Sequence, residues 1–198
     1  MATSRLGCPA GSRTARRPVY ARAVIWTLDY PLRTARLDLR PHTAADLDDL
    51  LVFHSDPEVV RYIPWTVRDR QQTHAALALK IPQVSAAAAG EWIVLAIEDR
   101  SSHTVIGEIL LKRKSDTVAE VGYVLATNAQ GKGLASEAVD HLMAQAEKFF
   151  GITTFDAVVE KPNVASQRLL TRAGFVPVPP TELGLLSFER RVVRPSEG

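Results

Sequence analysis

The stretch from Asn128 to Phe150 constrains this chain more than any other. Leu134, Ala135, Ala138, Val139, Leu142, Met143, Ala146, Phe149 and Phe150 recur at spacings of three, four or one. That is the wide apolar stripe of a helix laid against a core. Gly151 follows it as the usual C-terminal stop. Just ahead of the stripe runs Gln130-Gly-Lys-Gly133, whose two glycines let the backbone turn sharply and expose successive N–H groups. A helix start adds four unpaired donors and a partial positive charge. Loop and helix together therefore form a cradle for phosphate, to which Lys132 adds a cation.

The segments on either side predict the rest of the domain. Trp92 to Ile97 is apolar at every position, as in a strand covered on both faces. Val105–Lys112 and Val118–Leu125 follow it across short polar turns, which makes an antiparallel meander. Upstream, Arg36–Arg40 alternates polar and apolar residues. Thr43 and Asp46 then form a capping box for a helix carrying Leu47, Leu50, Leu51 and Phe53 on one face. Pro57 opens a second, short helical piece, and a third runs from about residue 68 to 80. Downstream, residues 153–160 read as a strand, Asn163 caps a helix ending near Ala173, and residues 175–178 and 186–193 read as two last strands. No repeat or linker interrupts residues 33–193, so the body is one α+β domain.

Charge and cysteine content narrow the function classes. Of 24 Lys and Arg, five arginines precede Asp29, and no acid lies among them. Removing them leaves 19 basic against 22 acidic residues, a body of −3 that offers no basic face for nucleic acid. Residues 1–30 are expected to be a basic, flexible tail, and residues 31–198 the domain. The single cysteine, Cys8, excludes an internal disulfide and a cysteine zinc cluster. No His pair has metal-ligand spacing, so no metal is expected. Apolar runs are far shorter than the roughly 20 residues of a membrane span. A cytoplasmic protein without a membrane partner is the expectation, and a homodimer is left open.

Two nucleotide motifs fail on the phosphate loop. A Walker loop needs glycine where Ala126 stands and Ser or Thr where Gly133 stands. The dinucleotide fingerprint needs Gly or Ala where Ser136 stands. What the chain does hold is Gln-Gly-x-Gly-x-Ala at a helix start after a meander. With Thr34–Pro41, His54–Arg61, Ala119–Leu125, Glu137-Ala138, Asn163–Ser166 and Ala173-Gly-Phe175 in order, residues 33–192 resemble the GNAT superfamily of acyl-CoA-dependent N-acyltransferases. More closely they resemble its RimJ/RimL-like branch, the ribosomal-protein N-terminal acetyltransferases. The fold so implied is a mixed, mostly antiparallel central sheet flanked by helices, with two splayed strands holding acyl-CoA.

The resemblance implies a direct attack of a primary amine on acetyl-CoA, with no metal. Gln130, Gly131, Lys132, Gly133, Leu134 and Ala135 would hold the pyrophosphate, and a backbone N–H at Val124 or Leu125 would polarise the thioester carbonyl. Asn163, as a bare residue a helix cap, would also hold the pantetheine. Glu120 is the candidate base that takes the amine's proton, against a plain surface glutamate paired with Lys112. Ser166 is the candidate acid toward the thiolate, against a capping serine. Relatives that use a later tyrosine are no guide, since no Tyr follows Tyr123. Arg168 and Arg172 are either 3′-phosphate ligands or solvated. On the acceptor side His54, Asp56, Arg61, Trp65 and Trp92 are candidates, with Trp65 the better one and Trp92 more simply core. His74 and His141 are expected to face solvent. The acceptor is a peptide N-terminus or a small-molecule amine. The alternative to an enzyme is a non-catalytic acyl-CoA-binding or interaction module of the same fold.

Overall fold

A computed structural model describes residues 24–193. In chain order these form β1 (Trp26–Thr27), β2 (Leu32–Arg33), β3 (Leu37–Pro41), α1 (Leu47–His54), α2 (Pro57–Val60), α3 (Arg70–Lys80), β4 (Ser85–Ala86), β5 (Trp92–Asp99), β6 (Thr104–Arg113), β7 (Val118–Leu125), α4 (Leu134–Phe150), β8 (Thr154–Val159), α5 (Val164–Arg172), β9 (Val176–Val178) and β10 (Leu186–Arg191). Eight strands make one sheet in the order β2-β3-β5-β6-β7-β8-β10-β9. Every neighbouring pair is antiparallel except β7 and β8, which α4 joins as a crossover. This is the mixed, mostly antiparallel sheet with flanking helices that the sequence predicts.

Strand alternation sends side chains to two separate cores. Ile93, Leu95 and Ile97 of β5, with Ile109 and Leu111 of β6, meet Ala138, Val139, Leu142, Met143 and Ala146 of α4 on one face. On the other face Ala96, Val105 and Val124 meet Leu50 and Phe53 of α1, Val59 of α2 and Leu77 of α3. Thr43 and Asp46 form the expected capping box, although a short 3-10 turn over Ala44–Asp46 precedes α1. Asp69 caps α3 in the same way, so that helix begins two residues later than expected.

Three expectations need correction. Phe149 belongs to the apolar stripe by spacing but is 54% exposed. Phe150 takes the inward place instead, its ring stacked 5.1 Å from Trp26. Trp92 opens β5 on the cavity-facing side and lines a pocket rather than the core. The packed body also starts before residue 31. Trp26 is 1% exposed, β1 pairs with β4, and Arg113 stacks on the Trp26 ring at 5.0 Å. The Arg113 guanidinium donates to the carbonyls of Val24, Ala86 and Ala87, so one buried cation satisfies three backbone acceptors. Residues 1–23 of the expected tail lie outside the described residues.

Candidate active site

The loop before α4 has the backbone its two glycines predict. Gly131 and Gly133 take φ of 73° and 76°, the left-handed region that L side chains rarely adopt. A Cβ on Gly131 would meet nothing within 4 Å, so its face is open toward a ligand. The outer side of the loop is tied down. Arg36 Nη1 donates to the Lys132 carbonyl at 3.0 Å, and Arg36 Nε to Glu137 at 2.7 Å. Thr34 Oγ1 also donates to Glu137, at 2.6 Å. Glu137, in the first turn of α4, therefore anchors the N-terminal bend to the loop.

Beyond the loop the sheet opens. β7 and β8 pair only at Val118↔Thr154, Ala119↔Phe155 and Glu120↔Asp156. Past that point β7 runs on to Leu125 without β8, which stays paired with β10 along its whole length. The resulting cleft, about 590 Å³, is lined by Val124, Leu125, Gln130, Gly131, Gly133, Leu134, Ala135, Asn163 and Ser166, all expected donor-site residues. Lys132 is not on its wall, whereas Arg168, Arg172 and Arg61 are. Gln130 Nε2 donates to the Leu125 carbonyl at 3.0 Å, holding the loop against the strand end. The Asn163 side chain accepts the Ser166 N–H at 3.1 Å, which caps α5 and fixes both residues at the cleft.

A second cavity of about 300 Å³ abuts the first on the α1–α3 side of the sheet. Tyr62, Ile63, Tyr123, Val124, Asn163 and Ser166 line both. Glu120, Trp65 and Trp92 line the second only. Glu120 is half-buried and makes no ion pair among the described residues, and the Lys112 ammonium sits 4.7 Å over the Trp92 ring instead. Asp56 caps α2 and accepts from Thr127 Oγ1 at 2.6 Å, so it braces the cleft rather than lining it. His54 is fully buried behind the wall, its ring edge-on to Trp65. His74 is exposed and His141 half-buried.

A buried charged hub, joined by no local pattern in the sequence, lies under this cavity. Glu108 of β6 is 4% exposed, and Lys80 Nζ donates to both its carboxylate oxygens at 2.6 Å. His42 Nε2 lies 3.2 Å and His54 Nε2 3.4 Å from the same carboxylate. Burial alone would favour the neutral acid, but His42, His54 and Lys80 hold Glu108 well below the usual carboxylate range. Burial likewise works against a charged His42, yet Asp46 and Glu108 on either side keep its pKa above the ordinary value. For His54 burial wins, and its pKa falls. The one signal in the sequence was an acid inside the apolar run Val105–Leu111. Lys80→Met would leave Glu108 buried without its cation, a loss of about 3–5 kcal/mol. The double variant Lys80→Met/Glu108→Leu should recover most of it, and chemical denaturation of both checks this.

A glycine-turned loop at a helix start, a parting of two parallel strands and two abutting cavities make up the candidate site. The chain matches the acetyltransferase (GNAT) domain over residues 36–176. It is 32% identical over 151 residues to the uncharacterized N-acetyltransferase p20 of Bacillus licheniformis, covering 73% of this chain and 81% of that protein. The protein therefore belongs to the GNAT family of N-acetyltransferases. Its fold is similar to the GNAT-family acetyltransferase of Bacillus anthracis, with a TM-score of 0.67 at 19% identity over 79% of this chain and 94% of that one. It is similar also to RimL, the ribosomal L7/L12 alpha-N-protein acetyltransferase in complex with coenzyme A. There the TM-score is 0.68 at 18% identity, over 80% of this chain and 96% of that one. Among the described residues no group of His, Cys, Asp and Glu is placed to hold a metal ion, and no helix is long and apolar enough to cross a membrane.

Proposed function

We propose that the protein moves an acetyl group from acetyl-CoA to a primary amine by direct attack in a ternary complex. The observation that carries this reading is the shared wall: Tyr123, Val124, Asn163 and Ser166 border both cavities. A thioester lying along β7 in the larger cleft would face an amine in the smaller one. The N–H groups of Gly131 to Ala135 and the α4 terminus suit pyrophosphate, with Arg168 or Arg172 supplying the cation in place of Lys132. A backbone N–H at Val124 or Leu125 would receive the developing charge on the carbonyl oxygen. Ser166 would protonate the departing thiolate.

Two carboxylates border the acceptor cavity, and their surroundings decide between them. Glu108 lies directly across from Val124 in the sheet, but its pairing with Lys80 makes it a poor proton acceptor. Glu120 has no such partner. It stands four residues before Val124 on the same face of β7, about 13 Å away along the strand. We assign it the base role, with a relay of several waters through the cavity carrying the amine's proton over that distance.

The test is mass spectrometry of acceptors after incubation with acetyl-CoA, following free thiol in parallel. The panel holds N-terminal Ser, Ala and Thr peptides, as the RimL likeness suggests, and small amines. A gain of one acetyl group on an acceptor with matching thiol release supports the reading. Coenzyme A binding without transfer to any amine would favour the non-catalytic module.

A further inference from the structure

The acceptor cavity allows one more step, which rests on the transfer reaction proposed above. We propose that the acceptor is a primary amine carrying one positive charge on a compact, apolar body, and that polycations are poor acceptors. The walls are Tyr62, Trp65, Trp92, Leu110, Val159 and Leu170, all aromatic or aliphatic. The charged residues that line the cavity are Lys80, Glu108 and Glu120. Lys80 occupies both oxygens of Glu108, so those two charges answer each other. Among the described residues Glu120 is then the single carboxylate in the wall without an ion-pair partner, and it can answer one ammonium.

A second ammonium on the same molecule would enter an apolar space with no free counter-charge, and burying an unpaired charge is strongly unfavourable. The aromatic rings do not relieve this. Trp65 already carries Arg68 at 4.7 Å and Lys80 at 5.6 Å over its ring, and Trp92 carries Lys112 at 4.7 Å. Arg61 lies 5.4 Å over the Tyr62 ring as well, so three of the four aromatic rings that line the cavity already carry a cation of the chain. A cavity of about 300 Å³ stands at the small end of ligand sites, too small for an aminoglycoside. Selection here works by leaving unwanted charge unpaired as much as by fitting the apolar body.

The experiment compares kcat/KM by thiol release at saturating acetyl-CoA for phenethylamine, a dipeptide amide with N-terminal Phe, spermidine and an aminoglycoside. The first two present the same chemistry from two sources, a free amine and a peptide N-terminus. Either of them exceeding spermidine by about 100-fold supports the proposal, and the better of the two identifies the source. Spermidine or the aminoglycoside turned over as well as the apolar amines overturns it. Transfer to no amine at all sinks the transferase reading itself, a different outcome from a reversed preference. A second arm places another carboxylate in the wall with Leu110→Asp. Its ratio of spermidine to phenethylamine kcat/KM should rise about tenfold, and an unchanged ratio in a folded variant also overturns the proposal.

Discussion

Glu120→Gln should lower kcat by about 100-fold while leaving acetyl-CoA affinity close to wild type. General bases contribute about 10²–10⁴ to rate, and the lower end suits a carboxylate acting through water. The change is isosteric and Glu120 has no ion pair among the described residues to lose, so folding should be unaffected. Glu120 borders the acceptor cavity and not the donor cleft, which is why the effect should separate from coenzyme A binding. Isothermal titration with coenzyme A and steady-state kinetics on one amine check both halves. Unchanged turnover would remove Glu120 from the mechanism, and weakened coenzyme A binding would make it a structural residue of the cleft.

Gly107→Ala should damage both stability and the donor cleft. Gly107 of β6 pairs with Leu125 of β7. A Cβ there would lie 2.3 Å from the Val124 carbonyl oxygen, 2.5 Å from Leu125 Cδ2 and 3.1 Å from Leu125 Cα. The first and last of these are backbone atoms, so no rotamer change relieves the clash. The end of β7 must move, and that is the strand whose backbone, in the proposed reaction, would face the thioester. We expect about 1–3 kcal/mol of destabilisation, the usual range for overpacking, and about tenfold weaker coenzyme A binding. Thermal unfolding and titration of the variant measure the two effects. Wild-type values for both would mean that the strand end yields freely and does not set the cleft.

The features legible in the sequence are the ones written in neighbouring residues. The α4 stripe, its glycine stop and the turn chemistry of Gly131 and Gly133 are local, and apart from the exposed Phe149 each appears where expected. Most of the donor cleft follows from them, because a strand, a loop and a helix in sequence must adjoin in space. Lys132, expected at the phosphates, is carried off the cleft wall by the turn, with its carbonyl held by Arg36. The Glu108 hub was hidden for a different reason. Its partners His42, His54 and Lys80 come from a loop, α1 and α3, and no local spacing joins them. Trp92 looked like core because the run behind it is apolar, yet the first residue of a strand can face an opening. Trp26 was set aside with the basic segment before it. Its burial depends on Phe150 and Arg113, more than 80 residues away.

The placement of the tryptophans has an optical consequence. The chain has three. Trp26, 1% exposed and stacked on Phe150, sits in surroundings that a ligand does not reach. Trp65 and Trp92 both border the acceptor cavity. Indole emission shifts with the polarity next to the ring, so an amine bound as proposed would perturb two emitters against one constant background. The chain would then carry an unlabelled gauge of acceptor occupancy, readable in the absence of donor and independent of turnover.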